Sequence, residues 1–135
     1  MSEQEMIIIT PKNRVFRDSP ITLESLRERI EGDLETIKLG SFLRGYINDN
    51  GIAEQLTPNL IATVYWYQIS PWMRGTGQII RGNLVITSKF PHGTDLATVD
   101  VDNFDGEDYS CSEDLWNHLQ YLRDLAQSQK LDMIS

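Results

Sequence analysis

The chain has 135 residues, 40% of them apolar, with a mean hydropathy of -0.34. This balance suits one soluble domain around one core, and no apolar run approaches the ~18 residues that a transmembrane helix needs. Residues 1–91 hold equal numbers of acids and bases, whereas residues 92–135 hold ten acids against Arg123 and Lys130 and so carry the whole net charge of -8, the wrong sign for direct nucleic-acid binding by that third.

The start, Met1-Ser2-Glu3-Gln4-Glu5, is acidic, and only four apolar residues follow it. A signal peptide needs a basic start and a longer apolar stretch, so the sequence predicts a cytoplasmic protein with no membrane association. Met6-Ile7-Ile8-Ile9, closed by Thr10-Pro11, reads as a buried first strand. Lys12 to Ser19 reads as a loop or a short second strand around Val15 and Phe16. After Pro20, Thr22 suits a helix N-cap and Glu24 the first turn. Leu23, Leu26 and Ile30 then share one helix face, and Gly32 ends a helix over about 22–31.

Leu34 to Leu39 alternates, with Glu35, Ile37 and Leu39 facing one way, and reads as a strand. Phe42 to Ile47 is a further strand, with a bulge expected at Gly45. Asp49-Asn50-Gly51 supplies a tight turn, and Ile52-Ala53 a brief return strand. Leu60 to Ile69 mixes helix and strand signals. Pro58 opens helices, while the β-branched and aromatic residues favour strand, so we split it into a helical turn at Asn59–Ala62 and a strand at Thr63–Ile69. Ser70 to Gly77 reads as a loop. Gln78–Ile80 and Asn83–Thr87 read as one strand broken by Arg81-Gly82. A loop at Lys89–Asp95, a last strand at Ala97–Val101 and an acidic loop at Asp102–Asp108 follow.

The closing helix, about 112–130, is the clearest element. Ser112 suits its N-cap, and Glu113 and Asp114 suit its first turn. Leu115, Trp116, Leu119, Leu122, Leu125 and Ala126 form its apolar stripe. The expected fold is therefore α+β: a mostly antiparallel sheet of about five to seven strands, packed with a short N-terminal and a longer C-terminal helix.

Four stretches, in this order, carry a family likeness: Gly32-Asp33-Leu34-Glu35, Tyr46-Ile47-Asn48-Asp49-Asn50-Gly51, Asn59-Leu60-Ile61-Ala62-Thr63 and Ile80-Arg81-Gly82-Asn83-Leu84-Val85. Together they resemble the phage and mobile-element family known as domain of unknown function number 3846, over about half the chain. Asp33 stands where that family has an aromatic residue, and Trp72-Met73-Arg74 is an added element. The resemblance implies a small accessory protein in a host cytoplasm, with an anti-defence or regulatory role. It implies no activity.

For chemistry, the stretch Trp72 to Gly77 with Arg81 is the leading ligand candidate. Trp72 offers a stacking face and Arg74 and Arg81 offer guanidinium forks for phosphate. Gly75, Thr76 and Gly77 allow close backbone approach to a small anionic, nucleotide-like ligand. The competing reading is a hairpin loop with Trp72 folded onto the core. No phosphate-loop or dinucleotide motif is present, so no cofactor is expected. The acidic residues Asp102, Asp105, Glu107 and Asp108 form a second candidate, a surface for a basic host protein that mimics DNA charge. From Asp100, a calcium loop fails because Phe104 and Asp105 occupy positions that need a ligand and a glycine, so no metal is expected. His92 and His118 lack motif partners. Cys111, the one cysteine, excludes an internal disulfide, and its acidic neighbours oppose thiolate formation. We therefore expect a non-catalytic binding protein, with an enzyme of unrecognised site ranked last. Sheet edges and exposed aromatics suit burial in a homodimer.

Overall fold

The chain builds an antiparallel sheet with helices on both of its faces, in a computed structural model that describes residues 4–40, 43–89 and 108–131. The elements are β1 (Met6–Ile9), β2 (Val15–Asp18), α1 (Leu23–Ile30), β3 (Leu34–Leu39), β4 (Leu43–Asn48), α2 (Leu60–Ile69), a 3-10 turn (Pro71–Thr76), β5 (Leu84–Ser88) and α3 (Glu113–Gln127). The five strands lie in the order β2-β1-β5-β4-β3. This is the α+β architecture expected from the sequence.

Strand alternation sends two sets of side chains to the two faces. Ile7, Ile9, Leu84, Ile86, Leu39 and Leu43 meet Ile61, Val64 and Tyr65 of α2 and Leu119 and Leu122 of α3. Met6, Ile8, Val85 and Tyr46 meet Leu26 and Ile30 of α1 on the other face. Helix α1 begins on Thr22, whose hydroxyl accepts from Ser25 N while Ser25 Oγ accepts from Thr22 N. Helix α3 begins on Ser112, which accepts from Leu115 N at 3.2 Å. Arg17 of β2 ties α3 to the sheet. It bonds Glu113 at 2.7 Å and lies over the Trp116 ring at 4.1 Å.

Several local expectations are corrected. Leu60–Ile69 is one helix, not a turn followed by a strand. Asn59 caps it, and seven consecutive residues, Ile61 to Tyr67, are buried. A helix enclosed on all sides carries no apolar period, so its β-branched and aromatic content misleads. Ser70–Gly77 is not a plain loop, because Pro71–Thr76 winds into the 3-10 turn. Ile52-Ala53 lies in successive turns that follow the Asn48 side-chain bond to Asn50 N. Gln78–Ile80 is not a strand; next to it only an isolated bridge joins Pro58 and Arg81. Lys12–Ser19 resolves into a turn and β2. The expected strand Ala97–Val101, most of the loop before it, and Phe42 lie outside the described residues.

Gly45 makes no bulge. It pairs in register with Ile37 on one side and Ile86 on the other. Its value is space: a Cβ there would sit 2.7 Å from Ile37 Cγ1 and 3.0 Å from Leu39 Cδ1. Gly45→Ala is expected to cost about 1–3 kcal/mol by forcing those side chains aside. Urea unfolding checks this, and a change below about 0.5 kcal/mol would show that the sheet yields freely.

Candidate functional site

On the face that carries α2, the sheet's last strand is incompletely covered. Ile37 of β3 and Ile47 of β4 are only partly buried there. Trp66 of α2 stands across from them, 9% exposed. A cleft of about 830 Å³ opens between Glu35, Ile37, Ile47 and Asp49 on one side and Trp66 and Arg81 on the other. A second cleft of about 620 Å³ adjoins it and is bordered by Gly40, Ile69, Trp72 and Met73. Both clefts share Ile37 and Trp66, so together they form one groove along β3.

The groove's walls are fixed by local hydrogen bonding. Thr76 Oγ1 donates to Met73 O at 2.6 Å and accepts from Gln78 N at 3.1 Å, which closes the 3-10 turn. Gly77 then takes φ 72°, where a side chain would be strained. The Tyr67 hydroxyl donates to Gln78 O and holds the next residues against α2. Arg81 Nη1 donates to Leu56 O at 3.2 Å, and Gly82 N donates to Thr57 O at 2.8 Å. These bonds set the 77–82 segment as a wall.

The six residues expected to hold a ligand do not converge. Arg81 and Gly77 border the larger cleft, and Trp72, 71% exposed, borders the smaller. Arg74 lies over the Tyr67 ring at 5.9 Å, and Gly75 faces open space. Neither of these, nor Thr76, borders either cleft. Ile37, Ile47, Trp66 and Glu35 border the groove and are not among the residues expected from the sequence. The alternation of Glu35, Ile37 and Leu39 was the available signal, since it places the first two on one face; what lay uncovered on that face was not readable.

Of the acidic candidates, Asp102, Asp105 and Glu107 lie outside the described residues. Asp108 is inside the protein and cannot serve as a contact on the surface. Its side chain and that of Arg44 are both fully buried, 3.5 Å apart. Tyr46 donates to Asp108 Oδ2 at 2.8 Å, and the Thr87 hydroxyl donates to the same oxygen. Arg44 Nη1 also donates to the Tyr46 hydroxyl at 3.1 Å. A guanidinium buried on β4 requires a counter-charge, and Asp108 supplies it. Burial first, and then the Asp108 charge, raises the Tyr46 pKa.

His118 Nε2 lies 2.8 Å from Gln68 Oε1, between Tyr65 and Tyr121, and His92 is outside the described residues. Burial raises the Tyr65 pKa and pushes the Cys111 thiol up to about 12. Among the described residues no cluster of His, Cys, Asp or Glu could hold a metal ion, and no helix is long and apolar enough to cross a membrane. Compared with protein-family models, curated proteins and solved structures, the chain shows no significant match to any.

Tyr46, Tyr65 and Cys111 all hold their protons more tightly folded than unfolded. The unfolded chain therefore releases protons first as pH rises, and stability falls above the unfolded thiol value of about 9. Urea midpoints should stay level from neutrality to about pH 9 and then decline, while native Cys111 stays inert to a thiol reagent that labels it in urea. Rapid native labelling at neutral pH would contradict the raised pKa of this partly buried thiol.

Proposed function

We propose that this protein is a non-catalytic binding protein whose recognition surface is the groove over Ile37 and Trp66. The observation that carries this reading is the continuity of the two clefts, which share those two residues. The larger cleft alone, about 830 Å³, falls within the ~300–1,000 Å³ of ordinary ligand sites. A flat or branched apolar group fits against Trp66 and Ile37, and Trp72 adds a stacking face at the groove's mouth.

Charge narrows the ligand further. Arg81 offers donors to an anionic group, with only one of its nitrogens engaged by Leu56 O. Glu35 and Asp49 border the same cleft and repel a polyanion. The ligand therefore combines an apolar body with a limited anionic part. The acidic-surface reading has less support, because Asp108 is committed to Arg44, Tyr46 and Thr87.

Anilinonaphthalene sulfonate, an apolar dye with one negative charge, probes this site. It should bind the folded protein and accept energy from its tryptophans. Ile37→Glu, which removes apolar surface and puts a negative charge on the groove floor, should weaken dye binding at least ~tenfold, or about 1.4 kcal/mol, with an unchanged circular dichroism spectrum. Equal binding by the variant and the parent would remove the groove from consideration.

A further inference from the structure

The groove lies along a strand that has one neighbour among the described residues. β3 is the last strand in the sheet order, and all six of its residues pair with β4. No described strand covers its other edge. The strand holds no proline, and its register with β4 is unbroken. Its outward N–H and C=O groups therefore form a regular template about 20 Å long. Glu35 and Ile37 border one cleft, and Ile37, Lys38 and Gly40 border the other, so a ligand filling both lies parallel to this edge.

We infer that the groove takes an extended peptide segment, which adds to β3 as a sixth strand and turns alternate side chains toward Trp66 and Ile37. This inference rests on the groove being the recognition surface. Backbone pairing would supply affinity and the two clefts would supply side-chain selectivity. Trp72, large and exposed beside the smaller cleft, suits the role of an aromatic anchor.

The charges on β3 favour a foreign strand over a second copy. Glu35 shares the groove face with Ile37, and Lys38 shares the opposite face with its partner Arg44. In a two-fold antiparallel pairing of β3 with itself, residues on the same face stand opposite each other. Registers centred on Glu35 or Lys38 oppose like charges. Registers centred on Thr36 or Ile37 leave both charges opposite uncharged residues. An edge lysine guards against such self-pairing. A strand with a basic residue opposite Glu35, an acidic one opposite Lys38 and an apolar one over Ile37 satisfies all three positions.

A synthetic library of about seven-residue capped peptides, a length matched to β3, screened against the full chain tests this. Selected peptides should alternate, with apolar and basic residues in one phase, and should lose at least ~tenfold in affinity on Ile37→Arg. Backbone N-methylation should abolish binding at every second residue and be tolerated at the residues between, because only alternate N–H groups point at β3. Peptides that need Ile37 but tolerate N-methylation everywhere would overturn strand addition and leave the groove assignment standing. If no peptide is selected while the dye still binds, the ligand class is wrong and the site is right. Failure of both removes both. A dimer at sedimentation equilibrium that Ile37→Arg converts to monomer, with no peptide selected, would assign the edge to a second copy instead.

Discussion

Asn59 joins three parts of the chain at one buried point. Its side chain is buried, with Nδ2 donating to Ile9 O at 2.9 Å and Gly82 O at 2.8 Å, and Oδ1 accepting from Ala62 N at 3.2 Å. Its backbone N–H donates to Ile80 O at 2.8 Å. Its carbonyl accepts from the Thr63 hydroxyl at 2.8 Å, and that hydroxyl accepts from Ile80 N at 3.0 Å. One amide thus fixes the end of β1, the first turn of α2 and the residues before β5. Helix α2 carries Trp66, and the 80–82 residues carry Arg81, so this knot fixes the two residues on one side of the groove relative to each other. The bonds to Ile9 O and Ala62 N are buried, so loss of the side chain leaves those groups unmet.

The two faces of the sheet do different work. The α2 face is apolar and ends in an uncovered strip beside β3. The opposite face buries an ionic cluster, in which Arg44, Tyr46 and Thr87 hold Asp108. Such a cluster is an uncertain source of net stability, but breaking it by removing one partner is costly. Its effect is positional. Asp108 is held on the sheet just before Tyr109 bridges Ser88, and the chain then enters α3. The groove is therefore shaped by one side of the molecule while the C-terminal helix is registered from the other.

What could be read from the sequence follows from how local each signal is. The α3 stripe and its Ser112 cap, the Thr22 cap and the alternation of β3 each depend on neighbours within a few residues, and each appears as expected. Helix α2 has no such local signal because burial on every side erases its period, and its Asn59 cap outweighs its strand-like composition. Gly45 was read as a bulge, when its role is to leave room for Ile37. Asp108 looked like one more acid in a charged third, and only the inward-facing Arg44 reveals that it is buried. The groove draws on β3, β4, α2 and the 77–81 wall, so no single stretch announced it. Trp72 and Arg81 were visible as exposed chemistry, whereas Trp66 was hidden inside a run that reads as core.

The most direct measurement on this account is amide hydrogen exchange of Asn59→Ala. The variant is expected to lose about 2–4 kcal/mol in stability and to lose protection selectively at Ala62, Thr63, Ile80 and Gly82, by more than in α3. Wild-type protection at those four amides, or a loss spread evenly over the whole chain, would contradict the role of Asn59 in holding α2 and the 80–82 residues together as one wall of the groove.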